Sequence, residues 1–188
     1  MSLLFSIPYD CNVLIETGLG HGRTAYDALQ ETSADVITIE RDLNLITRIG
    51  SQGPRHVIIH GSSPVILPRV CDPEKRTTFW LDAHYSAGAF TGDVPYDRSL
   101  LDAYGECPLL AELAVIKAVA WKTPPVIYID DAICFQGGDL SQTYAAGITQ
   151  AEWPTDAQIR DALPDGYVLT VEGDGRYFCG MMHGRVAE

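Results

Sequence analysis

The stretch VLIETGLGHGRTAYDALQ, residues 13–30, decides the fold. An apolar, β-branched run ends in Glu16, crosses Gly18, Gly20 and Gly22, and enters a segment of helical composition. A strand that turns through alternating glycines into a helix brings its backbone close to a ligand. A dinucleotide asks for G-x-G-x-x-G at such a turn, but counted from Gly18 the last of those positions is Arg23. The pattern here is instead Glu16-x-Gly18-x-Gly20-x-Gly22.

Working outward, the same rhythm repeats. Val13–Glu16, Asp35–Glu40, His56–His60, Thr77–Asp82 and Val126–Asp130 read as buried strands, near-continuously apolar and β-branched. Arg23–Thr32, Asp42–Gly50, Ser63–Val70 and Pro108–Lys122 read as the helices between them, the last with Leu109, Leu110, Leu113, Ile116 and Val119 on one stripe. Alternating strand and helix predicts a parallel sheet with right-handed crossovers. GYVLTVEGDGRYFCGMM then breaks the rhythm, with two β-rich runs around Gly173-Asp174-Gly175 that predict a hairpin. The expectation is an α/β, Rossmann-like, doubly wound and mostly parallel sheet of about seven strands, closed by an antiparallel C-terminal hairpin. Residues 1–188 read as a single domain. Two irregular stretches, Tyr85–Glu106 and Cys134–Trp153, follow strand ends, where such sheets bind their ligands, and read as lids. Within the second, Gly137-Gly138 and Asp139–Tyr144 read as a flap.

Composition narrows the partners. Hydrophobic residues make up 46% of the chain and charged residues 20%, which suits a globular core rather than disorder. No apolar run reaches the roughly 18 residues of a membrane helix, and MSLLFSIPYD has neither the basic region nor the cleavage site of a signal peptide. Five cysteines without C-x-x-C spacing argue against a zinc site or a disulfide framework and for a reducing, cytoplasmic setting. A formal net charge of −12 repels phosphate backbones, so a nucleic acid is not the expected partner.

Charge also selects the ligand of the glycine loop. Glu16 would repel a pyrophosphate and attract a sulfonium that carries an ammonium group. Glu40 ends the second strand 22 residues past Gly18, where a carboxylate can accept both hydroxyls of an adenosine ribose. Gly61-Ser62-Ser63, after the third strand, is placed to lie against the adenine.

Strands four and five end in WLDAHYSAG and IYIDDA. Asp82, Asp130 and Asp131 therefore converge on the edge that carries the glycine loop. Two like charges 4 Å apart at an effective dielectric near 20 cost about 4 kcal/mol, so protons, a base or a divalent cation must offset them. Oxygen donors in this number suit magnesium, calcium or manganese. His84 is the nearest candidate base, with an ordinary pKa close to neutrality. Plainer roles stay open: Asp130 as a helix cap, Asp82 orienting His84, and His84 as a hydrogen-bonded loop residue. Tyr85 and Ser86 could touch an acceptor, His21 reads as loop surface, Trp80 as core, and Cys107 as helix-entry chemistry rather than a nucleophile.

Taken together, the E-x-G-x-G-x-G loop, the acidic end of strand two, the strand order and the closing hairpin resemble the class I S-adenosylmethionine-dependent methyltransferases. The resemblance covers most of the chain. It implies that Glu16, Thr17, Gly18, Gly20, Gly22, Glu40, Gly61, Ser62 and Ser63 hold S-adenosylmethionine. The strand-end aspartates are similar to those of metal-dependent catechol- and macrocin-type O-methyltransferases. That likeness implies Asp82, Asp130 and Asp131 as ligands of Mg2+ or another divalent cation, with Asp82 and His84 positioning and deprotonating the acceptor. The lysine base of the catechol enzymes has no counterpart after Asp82. The expected activity is methyl transfer to a small-molecule acceptor, chiefly a hydroxyl, with no membrane partner. With so little chain before strand one, internal loops or the second subunit of a homodimer would complete the acceptor pocket. Two other readings stay open: a polyamine-type transferase on the same fold, and a nucleoside-binding or partner-activating module without turnover.

Overall fold

Alternation along the central strands sets the two layers of the fold. A computed structural model describes residues 7–8, 10–84, 101–136, 153–172 and 181–186. β1 (Val13–Thr17), β2 (Asp35–Glu40), β3 (His56–His60), β4 (Thr77–Leu81) and β5 (Val126–Ile129) lie parallel, and β6 (Tyr167–Glu172) and β7 (Met181–Val186) complete a sheet of order β3-β2-β1-β4-β5-β7-β6. β7 runs antiparallel to both β5 and β6. Side chains point alternately to opposite faces of a strand. Val13, Ile15, Phe79, Leu81, Ile127 and Ile129 thus enter one core cluster, while Leu14, Trp80 and Tyr128 enter the other. Trp80 is core, as its strand position predicts.

The second cluster is covered by α1 (Arg23–Glu31), which buries Ala25, Ala28 and Leu29 against it. Arg55, just ahead of β3, closes the far end of α1 by donating to the carbonyls of Leu29 at 2.8 Å and Thr32 at 3.0 Å. These carbonyls have no partner within the helix itself. The first and larger cluster takes Leu67 from α3 (Ser63–Val70), the stripe of Leu109, Leu113 and Ile116 from α4 (Leu109–Ala118), and Ile159 from α6 (Asp156–Ala162). α2 (Leu43–Ile49) follows β2 and is capped by Asp42, whose side chain accepts from the backbone of Asn44 and Leu45. A single turn, α5 (Ala132–Phe135), follows β5.

The expected strands and the four expected helices stand within a few residues of their predicted bounds. α5 and α6 are additions. α5 occupies the start of the stretch read as irregular from Cys134. α6 carries a capping box that the sequence displays: Thr155 Oγ1 accepts from Gln158 N, and Gln158 Oε1 accepts from Thr155 N. The Gly173-Asp174-Gly175 turn, the Gly137-Gly138 flap with residues 139–144, and Tyr85 and Ser86 lie outside the described residues. The antiparallel pairing of the two closing strands is described, with Glu172 opposite Met181. No helix among the described residues is long and apolar enough to cross a membrane.

Candidate functional site

The strand order reverses between β1 and β4, and the C-terminal ends of these strands open a crevice there. Backbone geometry at the glycine loop follows from close approach. Gly18 has φ +85°, and a Cβ on it would lie 2.7 Å from the carbonyl oxygen of Asp82. Gly22 caps α1 at φ +70°, where a Cβ would lie 2.9 Å from Ile49. Glu40 then ties the loop to β2: Leu19 N donates to its Oε2 at 2.8 Å, and Asp42 N to its Oε1 at 2.7 Å. Each carboxylate oxygen keeps a second lone pair for a ligand hydroxyl.

These elements enclose a cavity of about 250 Å³. Of the residues expected to hold a cofactor, Glu16, Gly18, Gly20, Glu40, Gly61, Ser62 and Ser63 line it. Thr17 and Gly22 stand behind that wall; Thr17 Oγ1 accepts from Asp82 N at 3.3 Å and so ties β1 to the end of β4. His21, read as loop surface, is exposed and also lines the cavity. Arg41, Leu45 and Pro108 line it without having been singled out. Arg41 is the most legible of these, since it directly follows Glu40.

Glu16 is 2% exposed. Burial pushes its carboxyl up to about 8, aided by the charges of Asp82 and Glu40 and opposed by hydrogen bonds from Thr38 and Thr24. A cation set against Glu16 would reverse that shift by favouring the ionised form.

On the opposite wall, His84 lies between two carboxylates. Its Nε2 is 3.2 Å from Asp82 Oδ1 and 2.8 Å from Asp131 Oδ2. Burial by itself would lower the pKa of His84, but the hydrogen bonds and charges of Asp131 and Asp82 outweigh it and hold the ring well above its ordinary value. Both carboxylates therefore favour the protonated form of the ring. Burial also raises the Asp82 carboxyl. Asp131 has φ +56°, a left-handed backbone that no other non-glycine residue adopts among the described ones. Asp tolerates it better than most, and such strain gathers at functional sites.

Asp130 also lines the cavity, but its Oδ1 accepts from Asp131 N at 2.8 Å. The group whose donor atoms all lie within 4.8 Å of one another is Asp82, His84 and Asp131. Two carboxylate oxygens and one imidazole nitrogen fit a divalent cation, and suit manganese or a later first-row metal better than magnesium. Of the expected trio, Asp82 and Asp131 stand in this group with His84, while Asp130 lines the same cavity beside it.

Sequence reasoning passed over Trp153 and Glu112. Trp153 is buried and packs its ring, tilted, against His84 at a centroid distance of 4.9 Å and against Phe135 at 5.6 Å. It closes a stretch read as irregular, so no periodicity marked it. Glu112 of α4 is buried among leucines; Ser63 Oγ donates to it, and burial raises its carboxyl to about 7. Its signal was a lone charge inside an apolar stripe. Burial also raises the pKa of the Cys107 thiol and so disfavours its thiolate.

The sequence matches no described protein family and no curated protein. Solved structures do match. A protein from Sulfolobus solfataricus classed as a type 11 methyltransferase superposes with a TM-score of 0.58 at 9% identity, over 94% of this chain and 85% of its own. A SAM-dependent methyltransferase from Aquifex aeolicus gives 0.54 at 13%, over 94% and 82%. A 16S rRNA (adenine(1408)-N(1))-methyltransferase from Catenulisporales acidiphilia gives 0.52 at 14%, over 95% and 87%. The chain has the fold of the class I S-adenosylmethionine-dependent methyltransferases.

Proposed function

We propose that this chain is an S-adenosylmethionine-dependent methyltransferase acting on a small acceptor, chiefly a hydroxyl oxygen. The observation that carries the reading is the cavity at the β1–β4 switch point, with Glu40 and Glu16 on its wall. Glu40 would accept the ribose hydroxyls, Gly61 and Ser62 would flank the adenine, and Glu16 would face the cationic aminoacyl end.

Methyl transfer is an in-line displacement: the acceptor's lone pair forms the new bond to carbon, the carbon–sulfur pair leaves with sulfur, and the acceptor loses its proton. The protein's part is chiefly alignment, which alone supplies a large share of the rate. Asp82, His84 and Asp131 face the same cavity and are the groups suited to hold the acceptor and receive its proton. A divalent cation held by these three would lower the pKa of an acceptor hydroxyl. The preference for a small molecule over RNA rests on the net charge of −12, since an rRNA enzyme shares the fold. A reducing setting remains the reading of the cysteine spacing, which contains no C-x-x-C pair.

The test is calorimetric titration with S-adenosylmethionine and S-adenosylhomocysteine, with and without Mn2+, and with NAD as control. The expected result is micromolar binding of both sulfur nucleosides, none of NAD, and a loss of at least about tenfold in Glu40→Ala, as befits a charge-assisted hydrogen bond. A separate Mn2+ heat abolished in Asp131→Ala is expected for the cation. Absence of binding by either nucleoside contradicts the proposal.

A further inference from the structure

One buried polar run begins at the wall of the cavity and leads away from it across three strands. Glu16 in β1 lies beside Thr38 in β2, and β3 brings in His56, two residues along from the partner of Thr38. All three side chains are buried. The direction of every proton along the run is fixed by its far end. Gln52 N donates to His56 Nδ1 at 2.9 Å. A ring nitrogen that accepts carries no hydrogen, so the proton of the neutral ring is on Nε2. Nε2–H then donates to Thr38 Oγ1 at 2.8 Å, and that hydroxyl spends its single hydrogen on Glu16 Oε2 at 2.6 Å. Burial lowers the pKa of His56, in keeping with a neutral ring.

The consequence is at Glu16. Oε2 is held as an acceptor from behind, and the plane of the carboxylate is set by a hydrogen bond anchored two strands away. Gln52 itself is pinned, its Nε2 donating to the carbonyl of Gly50 at 3.0 Å, so the run ends on backbone rather than in solvent. Apolar side chains would fill the same positions at lower cost in polar satisfaction, as Val36 does on the same face of β2.

We propose that His56, acting through Thr38, is a positioning residue that presents the Glu16 carboxylate to the ammonium group of the cofactor's aminoacyl arm. The inference rests on the cofactor reading above and adds how one part of the ligand is recognised. It separates from a purely structural role because only ligands that carry the aminoacyl arm depend on it. 5′-Methylthioadenosine shares the adenosyl group and lacks that arm.

The experiment compares the binding of S-adenosylhomocysteine and 5′-methylthioadenosine to the wild-type chain and to Thr38→Val, Thr38→Ser, His56→Leu and His56→Gln. Thr38→Val is expected to weaken S-adenosylhomocysteine by about tenfold and leave 5′-methylthioadenosine unchanged, a selective loss expected for a hydrogen bond to a charged group. Thr38→Ser keeps the hydroxyl and is expected to bind as wild type. His56→Leu is expected to follow Thr38→Val, and His56→Gln, which keeps an N–H near the Nε2 position, to recover most of the loss. Retained 5′-methylthioadenosine binding reports that each variant is folded, and His56→Leu serves if Thr38→Val is not. Equal weakening of both nucleosides, or no weakening of either, overturns the inference while the cofactor reading stands. Failure of the wild-type chain to bind either nucleoside overturns both.

Discussion

Glu16 concentrates the electrostatic cost of the site in one side chain. Its folded-state pKa of about 8 stands above its ordinary 4.5, so between those values the folded chain keeps a proton that the unfolded chain has released. Stability from this group is therefore complete below pH 4.5 and drains away as pH rises through 8. Glu16→Gln is neutral at every pH and escapes that loss. Urea denaturation of the two proteins is expected to give similar stabilities near pH 5 and a growing advantage for the variant up to pH 8.5. The ceiling is about 5 kcal/mol, at about 1.4 kcal/mol per pKa unit. A difference that does not change with pH would contradict the burial account of Glu16. The same side chain is the one a cationic ligand would repay, so the variant is expected to gain stability and lose affinity together.

At the scale of elements, α6 shows how a short helix is held in place. Its capping box satisfies backbone donors at the N-terminus, and Ile159 anchors it in the core. Thr155→Ala is expected to cost about 1 kcal/mol by removing the cap. The check is a shift of the urea midpoint without a change in slope. A loss much above that value would mean that Thr155 does more than cap the helix. The T-D-A-Q run announced this helix and was passed over because α6 offers one fully buried apolar side chain, too few for a visible stripe. Strands β1, β4 and β5 were legible for the opposite reason: buried along almost their whole length, they read as continuous apolar runs, whereas the edge strand β3 buries only His56 and was read from its β-branched composition. The glycine loop was legible because a left-handed Gly18 beside Asp82 leaves no room for another residue. The cluster of Asp82, His84 and Asp131 was only half legible. Sequence adjacency pairs Asp130 with Asp131, but Asp130 Oδ1 accepts from the backbone of Asp131, which sits in a left-handed turn with its own carboxylate on His84. Adjacency cannot display a backbone reversal of that kind.

Across the whole molecule, one sheet edge gathers everything the proposal needs. The parallel strands bring Glu16, Glu40, Asp82 and Asp130 to the same end of the sheet, and the crossing between β1 and β4 leaves the crevice between them. The proposed cofactor side is built from short-range geometry, a glycine loop and two carboxylates. The proposed acceptor side draws on separate connections: His84 after β4 and Asp131 after β5, with Trp153 before α6 packed against His84. The most direct measurement is a crystal structure of the chain with S-adenosylhomocysteine. The account predicts density in the cavity at the glycine loop, with ribose hydroxyls at Glu40 and the ammonium group at Glu16. Density for the nucleoside elsewhere, or a cavity that stays empty at saturating ligand, would contradict it.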